Sequence, residues 1–178
     1  MEIKKLERLN SNPAADWGYN GYMTDRIYSV SSIEYSGSFE FILKEKNMPY
    51  SKQWETDDNE LETLNDCIEK GNSFGAYHNG QLTGWIIGER REWNNSFYIE
   101  NILIREDYRR QGIGIQLIKS AIKEARRSGC RVIELETQNT NYPAIQFYRR
   151  MGFNITGLNT RLYADSDEIA LYMTLDLE

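Results

Sequence analysis

Histidine appears once, cysteine twice and proline three times in this chain of 178 residues. The one histidine, His78, stands directly before Asn79-Gly80, a pair that favours two-residue turns between paired strands. It reads as a plain hairpin residue rather than a base. Cys67 and Cys130 are far apart and in no metal-like spacing, so two reduced thiols in a cytoplasmic protein are expected, and no metal. Long apolar runs are missing too. Trp85-Ile86-Ile87 is only strand-sized, so no membrane span is expected. The opening MEIKKLERLN is charged without an apolar segment, which argues against a secretion signal. Neither repeats nor low-complexity blocks occur. Nor is there an excess of positive charge: the net is −6, a sign that repels phosphate backbones and excludes nucleic acid as a partner of the whole chain.

What charge there is lies unevenly. Glu34 to Lys70 holds ten acids and four bases, whereas Arg105 to Arg131 holds eight bases and three acids. Either both are solvated surface, or the basic strip meets a small anion and the acidic region a cation. The length suits a single domain over 1–178, with an acidic substrate-side part at 1–70 and a core at 73–178. Residues 1–22 read as irregular, with a short first strand or arm. The stretch 26–43 is rich in β-branched and aromatic residues and holds at least one strand. "DDNELETLNDCIEKG" has Leu61, Leu64 and Ile68 at helical spacing. Hairpins follow around Asn79-Gly80 and "WNNS". A helix opens at Gly112 and ends at Arg127, then the strand "CRVIELETQ", a helix at "PAIQFYRRM", and a closing hairpin of "GLNTRLYA" with "EIALYMTLDL". This predicts an α+β fold: a mixed, mostly antiparallel sheet with one parallel crossover at its centre and helices on both faces.

The crossover helix begins at "EDYRRQGIGIQLI". Backbone N–H groups in a first helical turn lack internal partners, and the helix dipole is positive there. Gly112 and Gly114 remove side chains that would hold an anion away, while Arg109 and Arg110 add donors. The turn suits a phosphate or pyrophosphate, unless it only tightens the strand–helix junction. The G-x-G-x-x-G spacing of hydride-transfer enzymes is absent, as is the Gly-Lys-Ser/Thr of triphosphate loops. Arg109-Arg110-Gln111-Gly112-Ile113-Gly114 instead resembles the Arg/Gln-x-x-Gly-x-Gly/Ala signature of the GNAT superfamily of acetyl-CoA-dependent N-acetyltransferases. "NTNYPAIQFYRRMGF", with Asn141, Ala144, Phe147, Tyr148, Gly152 and Phe153, is similar to its second hallmark.

The resemblance implies a GNAT fold whose central parallel strands splay to admit the pantetheine arm. Ile102, Leu103 and Ile104 would offer backbone groups to that arm, Gln111 to Ile115 would hold the pyrophosphate, and Asn141 and Ala144 would meet the arm from the other side. It implies Tyr148 as general acid to the leaving thiolate; the competing reading is a core aromatic among twelve tyrosines. An ammonium of pKa about 10.4 must lose a proton before it attacks, so a base is expected. Glu100 is the candidate, placed by strand alternation on the side of Tyr98, Ile102 and Ile104. Within the superfamily the chain is most similar to streptothricin acetyltransferases, through "ELETQNTNYPAIQFYRRMGF", "YIENILIREDYRRQGIG" and "TRLYADSDEIALYM". That implies a small cationic amine as partner, the β-lysine moiety of the antibiotic, held by acids and aromatics. Candidates are Glu34, Glu40, Asp165, Trp85 and Tyr98, with Asp57, Asp58, Glu60, Glu168, Tyr35 and Trp54 behind them. Protein N-termini, polyamines and aminoglycosides are the rival acceptors, and a non-catalytic acetyl-CoA-binding module the rival class. A homodimer is possible.

Overall fold

The computed structural model describes residues 1–54, 58–164 and 166–177, with the backbone alone at 58–60. Nine strands and three α-helices follow one another as β1 (Glu2–Lys5), β2 (Gly21–Tyr35), β3 (Ser38–Gln53), α1 (Asp58–Glu69), β4 (Phe74–His78), β5 (Gln81–Arg91), β6 (Ser96–Ile104), α2 (Ile113–Arg127), β7 (Val132–Gln138), α3 (Tyr142–Arg150), β8 (Asn154–Asn159) and β9 (Ala170–Asp176). Seven of the strands form one sheet in the order β1-β4-β5-β6-β7-β9-β8, and β2 pairs with β3 alone. β4, β5 and β6 are joined by antiparallel ladders, whereas β6 and β7 run parallel from Ser96↔Val132 to Ile99↔Leu135. The fold is α+β, as the order of elements predicts, and GNAT-like, as the resemblance implies.

The chain divides into two compact units: Met1–Asn20, Trp54–Leu135 and Thr174–Glu178 in one, Gly21–Gln53 and Glu136–Met173 in the other. The acidic 1–70 region is therefore not one body. In the first unit α1 covers one sheet face, where Ile68 packs with Trp85, Ile87, Trp17, Ala14 and Leu6. Trp85 is 1% exposed, lies 4.7 Å from the Trp17 ring, and donates its indole N–H to Asn101 Oδ1 at 2.7 Å. That makes Trp85 core and withdraws it as a substrate aromatic. The opposite face carries Phe74 and Ile86, which are register partners. Lys5 lies over the Phe74 ring and reaches Glu124 of α2, so α2 covers this second face.

In the second unit, β2 and β3 make a long ribbon from Gly21↔Gln53 to Tyr35↔Ser38. α3 anchors its root. Tyr28 stacks on Tyr142 at 5.7 Å, accepts from Gln146 and Arg149, and donates to Glu45. β8 begins at Asn154, three residues before the stretch the sequence singles out, and the closing pair has a long connection instead of a tight hairpin. Hydrophobic content at 153–158 (Phe153, Ile155, Leu158) outweighs the β-propensity of "TRLYA".

Candidate active site

β6 does not alternate evenly. Ile87 pairs with Asn101 and the next residue of β5, Gly88, pairs with Ile99, which leaves Glu100 as an extra residue in a β-bulge. Tyr98 opposite Glu89 and Leu103 opposite Trp85 consequently share one face, while Ile102 opposite Ile86 lies on the other. The expectation that Tyr98, Ile102 and Ile104 line up on one side is overturned by this inserted residue. Parallel pairing with β7 ends at Ile99, so Ile102, Leu103 and Ile104 lie beyond the last recorded parallel pair.

Around the bulge the side chains form a charged knot. The Arg91 guanidinium lies 3.4 Å from the Tyr98 ring centroid and 3.2 Å from Glu100 Oε1, and it also reaches Glu89. Lys70 bonds Glu89 in turn. Arg91 thus takes the cation position on Tyr98 that a substrate was expected to fill. Burial pushes the Glu100 carboxyl above its ordinary value and Glu89 adds to that, with Arg91 opposing. A carboxylate so placed is a better proton acceptor than one in water.

Beyond β6 a short 3-10 turn, Glu106–Tyr108, leads into the glycine stretch. Arg110 (φ 60°) and Gly112 (φ 81°) both adopt the left-handed conformation, and Gly112 caps α2. The first helical bond runs from Gln116 N–H to Gly112 C=O at 3.2 Å, which leaves the N–H groups from Ile113 to Ile115 without helical acceptors. Alternating handedness followed by free helical N–H groups is an anion-binding concavity, and it fits a diphosphate. The two arginines part company here. Arg109 is spent on the fold, donating to Ile104 C=O at 2.9 Å and Tyr19 C=O at 2.5 Å, whereas Arg110 is exposed. The Gln111 amide donates back to Asp107 C=O at 2.9 Å.

The sequence did not reveal what holds this turn in place. Glu106 N–H donates to Trp17 C=O at 2.9 Å, and its carboxylate accepts the Tyr19 N–H at 2.8 Å. Gly18 between them has φ 79°, and a Cβ there would stand 2.3 Å from Glu106 Oε2. Replacing Gly18 by Ala should therefore cost about 2 kcal/mol and lower the melting midpoint by roughly 4–8 °C. Coenzyme A affinity, read by calorimetry, should fall with it; an unchanged melt and affinity would show that the pin is dispensable.

The second unit holds α3. Asn141 caps it, its Oδ1 accepting the Ala144 N–H at 3.2 Å. Tyr148, one turn on, is only 7% exposed, flanked by the Phe147 and Phe153 rings at 5.4 and 5.7 Å. Burial pushes its phenol up, and Glu136 adds to the shift. Among the described residues no hydrogen-bond partner engages the Tyr148 hydroxyl, although Tyr163 is bonded to Glu136. Glu34 and Glu40 are exposed on the ribbon. Asp57 and Asp165 lie outside the described residues, as do the side chains of Asp58 and Glu60. Glu168 is buried in a ring of hydroxyls and one lysine that no motif announces. Among the described residues no three His, Cys, Asp or Glu side chains converge on a metal position, and no helix is long and apolar enough to cross a membrane.

The sequence profile of the acetyltransferase (GNAT) family matches residues 39–153. The chain belongs to this family. GNAT acetyltransferases take their acyl group from acetyl-CoA, and the free N–H groups at the head of α2 suit that carrier. A streptothricin acetyltransferase of Streptomyces lavendulae is 40% identical over 99 residues, 54% of this chain; the matched stretch spans about half (52%) of that protein. A solved structure from Bacillus anthracis str. Ames, assigned as a streptothricin acetyltransferase in complex with acetyl coenzyme A, superposes with TM-score 0.74 and 29% identity. It covers 99% of this chain and 97% of its own. The ribosomal-protein-S18-alanine N-acetyltransferase of Escherichia coli, also 29% identical, reaches TM-score 0.54 over 60% of this chain and 68% of its own.

Proposed function

We propose that this GNAT acetyltransferase acetylates a primary amine of a small cationic substrate, the β-lysine moiety of a streptothricin-type antibiotic, by direct attack and without a covalent enzyme intermediate. The observation that carries the chemistry is Tyr148: a buried phenol, flanked by aromatic rings, whose hydroxyl is left unengaged by the described residues. A phenol held neutral by burial keeps its proton on Oη until a thiolate of pKa about 8.5 develops nearby. Bound acetyl-CoA would supply an activated acetyl group as its thioester. The N–H groups of Ile113 to Ile115 would hold its diphosphate, with exposed Arg110 adding charge, and the backbone of Ile102 to Ile104 would flank its arm. Glu100 would accept the proton of the incoming ammonium, directly or through water.

Whole-length similarity supports the acceptor. The acetyl-CoA-bound relative aligns across 99% of the chain, the β2–β3 ribbon included, while the protein-alanine enzyme aligns across 60%. Thiol release from acetyl-CoA should be fastest with streptothricin when it is compared with spermidine, an aminoglycoside and a short peptide. A preference for the peptide would overturn the acceptor.

The base can be tested by pH. Because burial disfavours the Glu100 carboxylate, the rising limb of kcat/KM that it controls should lie above the ordinary carboxylate range. Activity is gained as pH climbs through that shifted value. Glu100→Gln should erase the limb and lower kcat/KM about 10²-fold at neutral pH. An unaltered profile would assign the proton to bulk water.

A further inference from the structure

Beyond its Tyr28 root, the β2–β3 ribbon has no third strand and no covering helix among the described residues. Two-stranded ribbons are marginal in water, and this one spends apolar side chains on solvent. Phe39 is 55% exposed, Phe41 47% and Tyr35 57%, and Phe39 packs only edge-on against Phe41 at 4.8 Å. β3 pairs on one side with β2, so its outer row of N–H and C=O groups is open. Charged residues on such an edge ordinarily keep it from pairing. Here Glu40 and Lys44 lie on the edge strand, both exposed, and neither has an ion-pair partner among the described residues.

The order of residues along β3 resolves this. Reading outward from Ile42 in both directions gives Phe41 and Leu43, then Glu40 and Lys44, then Phe39 and Glu45, then Ser38 and Lys46. Antiparallel pairing of β3 with itself about a two-fold axis at Ile42 sets each glutamate at 40 opposite a lysine at 44, twice over. It sets Phe41 beside Leu43, also twice, on the other face. Shifting the axis to Leu43 would oppose Lys44 to Ile42 and Glu45 to Phe41; shifting it to Phe41 would oppose Glu40 to Ile42. The Ile42 register also opposes Phe39 to Glu45, but of the three it alone forms Glu–Lys and Phe–Leu pairs together. Pro49, which lacks an N–H, limits the pairable edge to the segment before it.

We propose that β3 is a dimerisation edge: a second copy of this chain docks its own β3 antiparallel across Ile42, turning two ribbons into a four-stranded sheet with an isologous interface. The occupant is a second copy because the strand is complementary to itself in charge and in side-chain bulk.

Charge reversal tests this on the full chain by sedimentation or light scattering. Wild type should have twice the single-chain mass of 20.9 kDa. Glu40→Lys and Lys44→Glu should each have the single-chain mass, since every cross-copy pair then repels. The double variant should regain the dimer, and an equimolar mixture of the two single variants should form a heterodimer. Far-UV circular dichroism checks that each variant is folded. Ile42→Cys gives an independent readout, because the axis places position 42 opposite itself within disulfide range. On oxidation it should run at double mass without reductant, which wild type should not. A wild type of single-chain mass at every concentration, a dimer that survives both single reversals, or an Ile42→Cys chain that never cross-links would each overturn the proposal.

Discussion

Tyr148→Phe should lower kcat about 10²–10³-fold while leaving coenzyme A binding and the melting temperature nearly unchanged. Deleting a hydroxyl from a buried tyrosine usually costs stability because its partner is stranded. At Tyr148 the described residues supply no partner to strand, and the ring stays between Phe147 and Phe153 as phenylalanine. Loss of the proton donor then appears in the chemical step alone, at roughly 2.7–4 kcal/mol of barrier. Burial holds the phenol above its ordinary value, so wild-type turnover should show no loss from its ionisation up to about pH 10. Turnover in the phenylalanine variant within twofold of wild type would remove Tyr148 from the chemistry and leave it a core aromatic.

Much of the fold was legible because its signals are local. The Asn79-Gly80 turn, the helical spacing of Leu61, Leu64 and Ile68, and the glycine that opens α2 each act over a few residues, and each element appears where that reasoning places it. The site was legible only where a motif carries it. The bulge at Glu100 left no trace in composition, since one extra residue in a ladder is set by pairing with β5 and not by β-propensity. Strand alternation therefore misplaced Ile102 and Ile104 relative to Tyr98. Trp85 illustrates a second limit. An aromatic with an N–H is equally suited to a cation site or to a core, and only Asn101 and Trp17 decide it. Arg109 illustrates a third: a cation in an anion-binding motif was spent on two backbone carbonyls, one of them 90 residues earlier in the chain. Long-range pairings of this kind have no signature in a single sequence.

Glu168→Ala should destabilise the protein by about 3 kcal/mol at neutral pH, a fall in melting midpoint of roughly 6–12 °C. The carboxylate is 4% exposed. Thr140 donates to its Oε1 at 2.5 Å, Tyr22 and Tyr50 at 3.2 Å each, Ser166 donates to its Oε2 at 3.2 Å, and Lys52 completes the set. These donors come from β2, β3, the end of β7 and the approach to β9, so one side chain ties together four segments of its unit. Burial alone would raise its pKa, but Lys52 and the hydroxyls outweigh that and hold it below the ordinary range. With the folded value depressed, its contribution is present above the unfolded pKa of about 4.3 and is lost as pH falls through the folded value. The difference in melting midpoint between wild type and Glu168→Ala should accordingly persist from pH 7 to pH 5 and narrow only at still lower pH. A variant that melts with wild type at pH 7 would mean that Lys52 and the four hydroxyls find water as readily as they found the carboxylate, and that the ribbon root is held by α3 instead.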